Sequence, residues 1–207
     1  MKDYLKKTIE FYNNNFDDYF QKTINLQDTI WLEKFITYLP KSSNILDVGC
    51  AFGRDSKYFS QKKFKTYGID LSQKMIKEAT KFSPKTKFFV MDMTDLKFNN
   101  NFFNGIWCSA SLLHLKKEDS LNAISEFNRV LKKDGYLFIN LKEGQGEKII
   151  TDERYQQQEK FYSYYSSDEI KGMLQKNGFK VKDFTFIEKP NNGYNQTGLI
   201  YLISQKI

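Results

Sequence analysis

The sequence predicts a single α/β domain built on a mostly parallel β-sheet. Short apolar runs alternate with helical segments from residue 44 to residue 178, and several of these runs are apolar at every position. Strands that are apolar on both faces are typical of a parallel sheet covered by helices on each side. Beyond residue 178, two strand-like runs follow each other with no helix between them, which predicts an antiparallel hairpin.

Local patterns predict the individual elements. Two helical segments come first, and Pro40 ends the second of them. The polar tract at 13–15 indicates a break or a loop. The predicted helices cover 4–20, 28–39, 54–62, 72–81, 118–132 and 167–177. The predicted strands cover 45–48, 65–71, 88–91, 105–109, 136–139, 179–188 and 199–204. They form a doubly wound, Rossmann-like sheet of seven strands with helices on both faces.

Composition and charge limit the classes of function. The chain has 207 residues and a net charge of +7, but its lysines are scattered along the sequence, so they do not predict a nucleic-acid surface. No run approaches the roughly 20 apolar residues that span a bilayer, and the first residues lack the pattern of a signal peptide. We therefore expect a cytoplasmic protein without a membrane partner. Two cysteines and one histidine give no metal-ligand set, so no bound metal is expected.

A glycine-bearing turn follows the first predicted strand. Gly49 and Gly53 allow the backbone to turn tightly and to approach a ligand closely. Asp70 ends the second predicted strand, about 20 residues beyond Gly49, which places its carboxylate to accept both hydroxyl groups of a ribose. An ordinary turn explains the glycines alone, but the added spacing of Asp70 favours a nucleoside ligand.

The same turn does not fit a dinucleotide. Counting from Gly49, the third and sixth positions hold Ala51 and Arg54, where a dinucleotide fingerprint needs glycine. Asp47, two residues before Gly49, is poorly placed beside a diphosphate and well placed beside an ammonium group. The turn therefore predicts a cationic ligand that carries a ribose.

Five segments in the expected order resemble the motifs of class I S-adenosylmethionine-dependent methyltransferases. They are the glycine-rich motif at 45–55, the ribose-binding strand end at 68–72, the adenine segment at 91–93, the fourth motif at 103–108 and the turn into the fifth strand at 129–135. The C-terminal hairpin is similar to that family's reversed strand. The resemblance implies a methyltransferase domain over 41–207 with a helical cap over 1–40. It also implies S-adenosylmethionine as methyl donor, with S-adenosylhomocysteine as product.

The resemblance also implies roles for individual residues. Backbone groups of Gly49 and Cys108 are expected at the methionine moiety, and Asp47 at its ammonium group. Asp70 is expected at the ribose. Asp47 and Asp92 have an alternative interpretation as strand-end capping groups, and Met75 as a core residue. The family usually has glycine where this chain has Ala51, which is expected to tighten the pocket. The remaining implied cofactor residues are Cys50, Ala51 and Gly53 in the turn, and Leu71, Met75, Asp92 and Met93 around the adenine.

The acceptor side is less defined. His114 follows the fourth predicted strand and is either a general base or part of the pocket wall. Tyr19 is expected either to face the sulfonium through its ring or to pack its helix. The insertion at 144–166 follows the fifth strand, and its aromatic run 161–165 is expected to wall an acceptor pocket, with an edge strand as the alternative.

These observations predict an enzyme that transfers a methyl group from S-adenosylmethionine to a small-molecule acceptor by in-line displacement. Two alternatives stay open at this point. One is a tRNA or protein methyltransferase, against which the scattered charge argues. The other is a non-catalytic module that binds the cofactor as a regulator, which the fold alone does not exclude. The sequence does not identify the acceptor or the oligomeric state.

Overall fold

The computed structural model describes residues 2–152, 158–188 and 197–207. The helices are α1 (Asp3–Asn14), α2 (Phe16–Thr23), α3 (Thr29–Thr37), α4 (Arg54–Gln61), α5 (Gln73–Phe82), α6 (Lys117–Val130) and α7 (Ser167–Lys176), with a short 3-10 helix at Leu112–His114. The strands are β1 (Asn44–Val48), β2 (Lys65–Asp70), β3 (Lys87–Val90), β4 (Phe103–Ser109), β5 (Leu131–Lys142), β6 (Glu147–Asp152), β7 (Gln158–Ser163), β8 (Phe179–Ile187) and β9 (Leu199–Lys206).

Seven strands form one sheet in the order β3-β2-β1-β4-β5-β9-β8. The pairs β1–β2, β2–β3, β1–β4 and β4–β5 are parallel, whereas β9 runs antiparallel to both β5 and β8. This arrangement confirms the predicted Rossmann-like sheet with an antiparallel C-terminal hairpin. Strand order reverses between β1 and β4, which is where open α/β sheets bind ligands.

Alternate side chains of each central strand pack on opposite faces of the sheet. On β4, Ile106 faces the apolar cluster formed with α6 and α7, while Trp107 faces the cluster formed with α3 and α4. The Trp107 ring stacks on the Phe138 ring of β5 with centroids 3.7 Å apart. Both faces of the sheet are therefore covered, as the apolar runs predict.

The first predicted helix differs from the observed structure. The single helix predicted over 4–20 is two helices, α1 and α2, which meet at Asn15. The Asn15 backbone N–H and its side-chain amide both donate to the Phe11 carbonyl oxygen, at 3.1 and 2.8 Å. Asn15 itself has φ −109° and ψ 25°, which lies outside the helical region and separates the two helices. The break therefore lies in the polar tract 13–15.

The insertion at 144–166 folds in part as a separate antiparallel hairpin of β6 and β7. α1 lies against β7, where the Tyr4 and Phe161 rings are 4.7 Å apart. The Lys2 and Tyr4 side chains also contact the Asp119 carboxylate at the start of α6. These contacts fix α1 beside the ends of the parallel strands. No helix among the described residues is both long and apolar enough to cross a membrane.

Candidate active site

A cavity of about 540 Å³ lies at the carboxyl ends of β1, β2, β4 and β5. Its facing wall comes from α1 and α2, which we call the roof, and β7 contributes to one side. The cavity therefore occupies the switch point of the sheet, where the sequence places the cofactor turn. Within the described ranges, no group of His, Cys, Asp and Glu side chains is arranged to hold a metal ion.

The turn after β1 has little room for side chains. Gly49 has φ +67°, and a Cβ added there would lie 2.3 Å from the Ser111 Cβ, so this position requires glycine. Gly53 also has a left-handed φ of +82° and caps the start of α4. Ala51, which replaces the family's usual glycine, adopts φ +46° and lines the cavity. The alanine side chain is therefore accommodated without filling the cavity.

Asp70 is held by backbone amides on both sides. The Ala51 N–H donates to Asp70 Oδ2 at 3.0 Å, and the Ser72 N–H donates to Oδ1 at 2.8 Å. Burial raises the pKa of the Asp70 carboxyl, while these amides act to lower it. Each carboxylate oxygen keeps a further lone pair for another donor. The fixed carboxylate at the cavity wall therefore has the geometry to accept two ribose hydroxyl groups.

Asp47 lies in a small cleft of about 40 Å³ that adjoins the turn. Its side chain is buried and accepts a hydrogen bond from Ser56 Oγ at 2.6 Å. Burial, together with the nearby negative charge of Asp55, raises the pKa of the Asp47 carboxyl well above its ordinary value. A cationic group in the cleft would stabilise the ionised carboxylate. The cleft is thus suited to an ammonium group, and the role of Asp47 stays a prediction.

Arg54 and Asp55 connect this cleft to the roof. Arg54 Nε donates to Asp55 Oδ1 at 2.8 Å, and Arg54 Nη1 donates to the Thr23 carbonyl oxygen of α2 at 2.9 Å. Trp107 Nε1 donates to Asp55 Oδ2 at 3.0 Å from the sheet below. Arg54 lines the cavity, yet the sequence interpretation assigns it no role. The feature of the sequence that could have indicated a role for Arg54 is the Arg-Asp pair that directly follows the glycine turn.

The predicted adenine residues fall into two groups. Leu71, Met75 and Met93 line the cavity, and Met75 is also almost fully buried. Asp92 does not line it, and its Oδ1 accepts from both the Thr94 N–H and the Thr94 hydroxyl at 2.8 Å. Asp92 therefore has the contacts of a strand-end capping group, which is its alternative interpretation from the sequence. Adenine recognition by Asp92 stays a prediction.

The two cysteines lie behind the cavity wall rather than in it. The Cys50 N–H donates to the Ile69 carbonyl oxygen at 2.9 Å and ties the turn to β2. Cys108 is fully buried, its Sγ is 3.1 Å from Ser111 Oγ, and burial raises the pKa of its thiol to about 12. Neither thiol is placed as a nucleophile in this structure.

Both ring nitrogens of His114 are occupied. Nδ1 lies 3.0 Å from the Phe161 carbonyl oxygen, and Nε2 lies 3.0 Å from the Tyr12 hydroxyl. Because a carbonyl oxygen only accepts, Nδ1 carries the proton in the neutral ring and Nε2 accepts from Tyr12. Burial, together with the smaller effect of the Lys160 and Lys142 charges, lowers the pKa of His114 to about 3, although the hydrogen bond with the Phe161 carbonyl acts to raise it. This geometry favours a wall residue over a general base.

Aromatic side chains of the roof and β7 surround His114. The Tyr12 ring makes edge contacts with the rings of Tyr19, 5.1 Å away, and His114, 5.7 Å away. Tyr162 lines the cavity with its ring 4.9 Å from that of His114. Tyr165, from the same predicted aromatic run, instead bonds Ser120 within the core. The aromatic wall is therefore shared between Tyr162 and two roof tyrosines that are distant from it in sequence.

Comparison with known proteins agrees with this geometry. Residues 46–139 match a family described as a methyltransferase domain. A Bacillus subtilis protein that is named as a methyltransferase, YqeM, is 32% identical over 120 residues, or 56% of this chain. This chain spans about half the length of that curated relative, because the match covers 47% of it.

Solved structures show the same fold. A Methanosarcina mazei protein described as an S-adenosylmethionine-dependent methyltransferase superposes with a TM-score of 0.76, at 22% identity, over 87% of this chain and 98% of that one. The 1,6-didemethyltoxoflavin-N1-methyltransferase of Burkholderia thailandensis, with 1,6-didemethyltoxoflavin and S-adenosylhomocysteine bound, gives 0.70 at 16% identity over 95% and 88%. The family match over 46–139 and the sheet topology together show that the chain contains a methyltransferase domain with the fold of these solved methyltransferases.

Proposed function

We propose that the chain transfers the methyl group of S-adenosylmethionine to a small-molecule acceptor by in-line displacement. The observation that carries the proposal is one continuous cavity that runs from Asp70 to His114 beneath the roof. Its volume of about 540 Å³ lies within the range of about 300–1,000 Å³ typical of small-molecule sites. The sulfonium supplies an activated methyl carbon, so that attack by the acceptor breaks the carbon–sulfur bond and leaves the electron pair on sulfur.

The residues of the chain contribute binding and positioning. The Asp70 carboxylate accepts the ribose hydroxyl groups, and Leu71 and Met75 contact the adenine. Asp47 stabilises the ammonium group of the methionine moiety. Holding two reactants in line and excluding water can supply a large part of the rate without an acid or a base. This fits the cavity, where His114 is the one imidazole of the chain and both its nitrogens are engaged.

A small acceptor is favoured over a macromolecule because the roof covers the strand ends. Tyr12 and Tyr19 of the roof line the cavity, and Arg54 ties the end of α2 to the start of α4. A base or a peptide side chain on a large partner would have to displace this cover. Two similar methyltransferases are named for small-molecule substrates: the Burkholderia thailandensis protein for 1,6-didemethyltoxoflavin, and a Synechocystis relative, 31% identical over 105 residues, for 2-methyl-6-phytyl-1,4-hydroquinone.

Isothermal titration calorimetry tests the cofactor part of the proposal. We expect S-adenosylmethionine and S-adenosylhomocysteine to bind, and NAD to give no heat beyond dilution, because the turn offers no pyrophosphate cradle. Binding of NAD with no response to S-adenosylmethionine would overturn the proposal. Incubation of cell metabolites with methyl-labelled S-adenosylmethionine then tests catalysis, and cofactor binding with no labelled product from any fraction would favour the regulatory alternative.

A further inference from the structure

Three polar side chains lie in one row across the sheet, at the carboxyl ends of β4 and β5. Ser109 ends β4, Asn140 is its partner on β5, and Tyr201 is the partner of Asn140 on β9. All three line the cavity. Two residues further into the sheet, the same face carries a buried apolar row made of Trp107, Phe138 and Ile203. This face of the sheet therefore changes from apolar to polar where it meets the cavity.

The Asn140 carboxamide presents an oxygen at the cavity wall. Its Nδ2 donates to the Ile200 carbonyl oxygen at 3.3 Å. Because a carbonyl oxygen only accepts, this contact fixes the amide nitrogen on that side and leaves Oδ1 on the other. Asn140 is 8% exposed, and none of the residues that the structure describes donates to Oδ1. A buried oxygen without a donor costs free energy, so this position favours a ligand that supplies one.

Asp28 adjoins the row at Tyr201. It precedes α3, caps that helix by accepting from the Trp31 N–H, and accepts a hydrogen bond from the Tyr201 hydroxyl. The Tyr201 ring stacks on the Trp31 ring with centroids 5.0 Å apart, which fixes the hydroxyl. Asp28 is half-buried and lines the cavity. A carboxylate has about four lone-pair positions, so two donors leave it able to accept more.

The charge of Asp28 has no cationic partner within the described ranges. The ion pairs there do not include it. Arg54 instead binds Asp55 through two hydrogen bonds of 2.8 and 3.2 Å. Burial raises the pKa of the Asp28 carboxyl, and the charge of Asp55 adds to this effect. A cation beside Asp28 would favour its ionised form, so this part of the wall is suited to a positive group.

The row begins beside the predicted methionine subsite. Ser109 lines both the cavity and the small cleft that holds Asp47. Tyr201 lies two strand spacings from Ser109, which is about 10 Å across the sheet. One small molecule can span this distance, so a ligand held at Asp28 and Tyr201 can reach the cofactor end of the cavity.

Asn140, Tyr201 and Asp28 all offer acceptor atoms to a ligand. The hydroxyl proton of Tyr201 is directed to Asp28, so its oxygen presents lone pairs. An ammonium group carries three N–H donors and a positive charge, and it matches this set. An alcohol has one donor and no charge, and a carboxylate has no donor and is repelled by Asp28. Resting on the methyl transfer proposed above, we propose that the acceptor is a small amine whose ammonium group binds Asp28, Tyr201 and Asn140.

Calorimetry with matched probes tests this assignment on the full chain saturated with S-adenosylhomocysteine. The probes are benzylamine and 1-butylamine, their counterparts benzyl alcohol and 1-butanol, and the anion benzoate. We expect at least one amine to bind at least about tenfold more tightly than its alcohol, because its hydrogen bonds are charge-assisted. Asp28→Asn should abolish this preference, since asparagine still caps a helix but carries no charge. Tyr201→Phe should weaken amine binding about three- to tenfold.

Asp183→Asn is the matched control for Asp28→Asn. Asp183 also accepts a tyrosine hydroxyl, that of Tyr38, but it lies on β8 and does not line the cavity. We expect Asp183→Asn to keep the preference for amines. The Asp28 and Asp183 variants should both bind S-adenosylhomocysteine as the unmodified protein does.

The outcomes separate the two proposals. Loss of S-adenosylhomocysteine binding in the unmodified protein would overturn the proposed function before any amine is tested. With that binding intact, three results would overturn the amine subsite: amines that bind no more tightly than their alcohols, benzoate that binds as tightly as the amines, or an Asp28→Asn variant that matches Asp183→Asn. Weaker S-adenosylhomocysteine binding in Asp28→Asn would also overturn it, because the carboxylate would then belong to the cofactor site. If Asp28→Asn does not fold, Tyr201→Phe decides.

Discussion

Replacing His114 with asparagine distinguishes a wall residue from a general base. Asparagine has a side-chain amide that can still donate to the Phe161 carbonyl, so the main loss is the hydrogen bond from Tyr12 to Nε2. One such neutral hydrogen bond contributes about 0.5–1.5 kcal/mol, so a wall role predicts a loss of turnover between about two- and tenfold. A general base predicts a loss of about 10²–10⁴-fold.

The pH dependence of stability tests the same environment without any substrate. Burial lowers the pKa of His114 from 6.5 to about 3 in the folded protein. As the pH falls below 6.5, the unfolded chain binds a proton at this ring and the folded chain does not, so the folded protein loses stability. At pH 4.5, which is two pH units below the pKa of the unfolded chain, this loss of unfolding free energy amounts to about 2–3 kcal/mol. Tyr12, Lys160 and Lys142 face the ring and remain in the variant.

The assay is denaturant unfolding of the wild type and His114→Asn at pH 7.5 and pH 4.5. We expect the wild type to lose about 2–3 kcal/mol more unfolding free energy over this interval than the variant does. His114 is the chain's one histidine, so no other imidazole contributes to the comparison. Equal losses in both proteins would refute the low pKa. A fall in turnover beyond about a hundredfold, with the acid limb of the pH profile abolished, would refute the wall role.

Three further substitutions and measurements test other parts of the site. Asp70→Ala should weaken S-adenosylmethionine binding about 10- to 100-fold by calorimetry, because two hydrogen bonds to a carboxylate are lost. The control is Asp95→Ala, which removes an exposed ion pair with Lys97 and should leave cofactor binding unchanged. Equal losses of affinity in the two variants would argue against the ribose role of Asp70. Gly49→Ala should lower the free energy of unfolding by about 2–5 kcal/mol, through left-handed strain and overlap with Ser111. Gly172→Ala in α7, where an added Cβ meets nothing, is its control, and a similar stability in both variants would show that the turn is not constrained. Binding of bulk tRNA should be weak at about 50 mM salt and lost by about 200 mM, and a specific complex that survives would revive the nucleic-acid alternative.

The fold could be predicted because its signals are local. The apolar runs that become β1, β4 and β5 are buried on both faces, and the change of pattern after residue 178 marks the reversed strand β9. The exact position of the break at Asn15 is harder to predict, because apolar residues continue at helical spacing through it and only the backbone angles of one polar residue leave the helical region. Boundaries that depend on one polar side chain are weak signals in a sequence.

The cofactor turn could be predicted because its residues are close in the sequence, whereas the acceptor end joins residues that are far apart in it. Gly49 directly follows β1 and Asp70 ends β2, and these two strands are adjacent in both sequence and space. The spacing of the two residues in the sequence therefore predicts that they lie close together. Tyr12 and His114 are 102 positions apart, and nothing in either segment indicates that their side chains meet. Lys160 is one of many lysines in the sequence, and its burial beside the cavity follows from the packing of α1 on β7.

The hydrogen bond from Trp107 to Asp55 also links the roof to the intrinsic fluorescence of Trp107. Asp55 binds Arg54, and Arg54 holds the carbonyl oxygen of Thr23 at the end of α2, so lifting of α2 would change the charge distribution beside the indole. The chain's other tryptophan, Trp31, is part of α3 and lies in the same apolar cluster as Trp107. Substituting Trp31 with phenylalanine would leave Trp107 as a single intrinsic fluorophore. Stopped-flow emission would then test, with no label attached to the protein, whether α2 moves when S-adenosylhomocysteine is released.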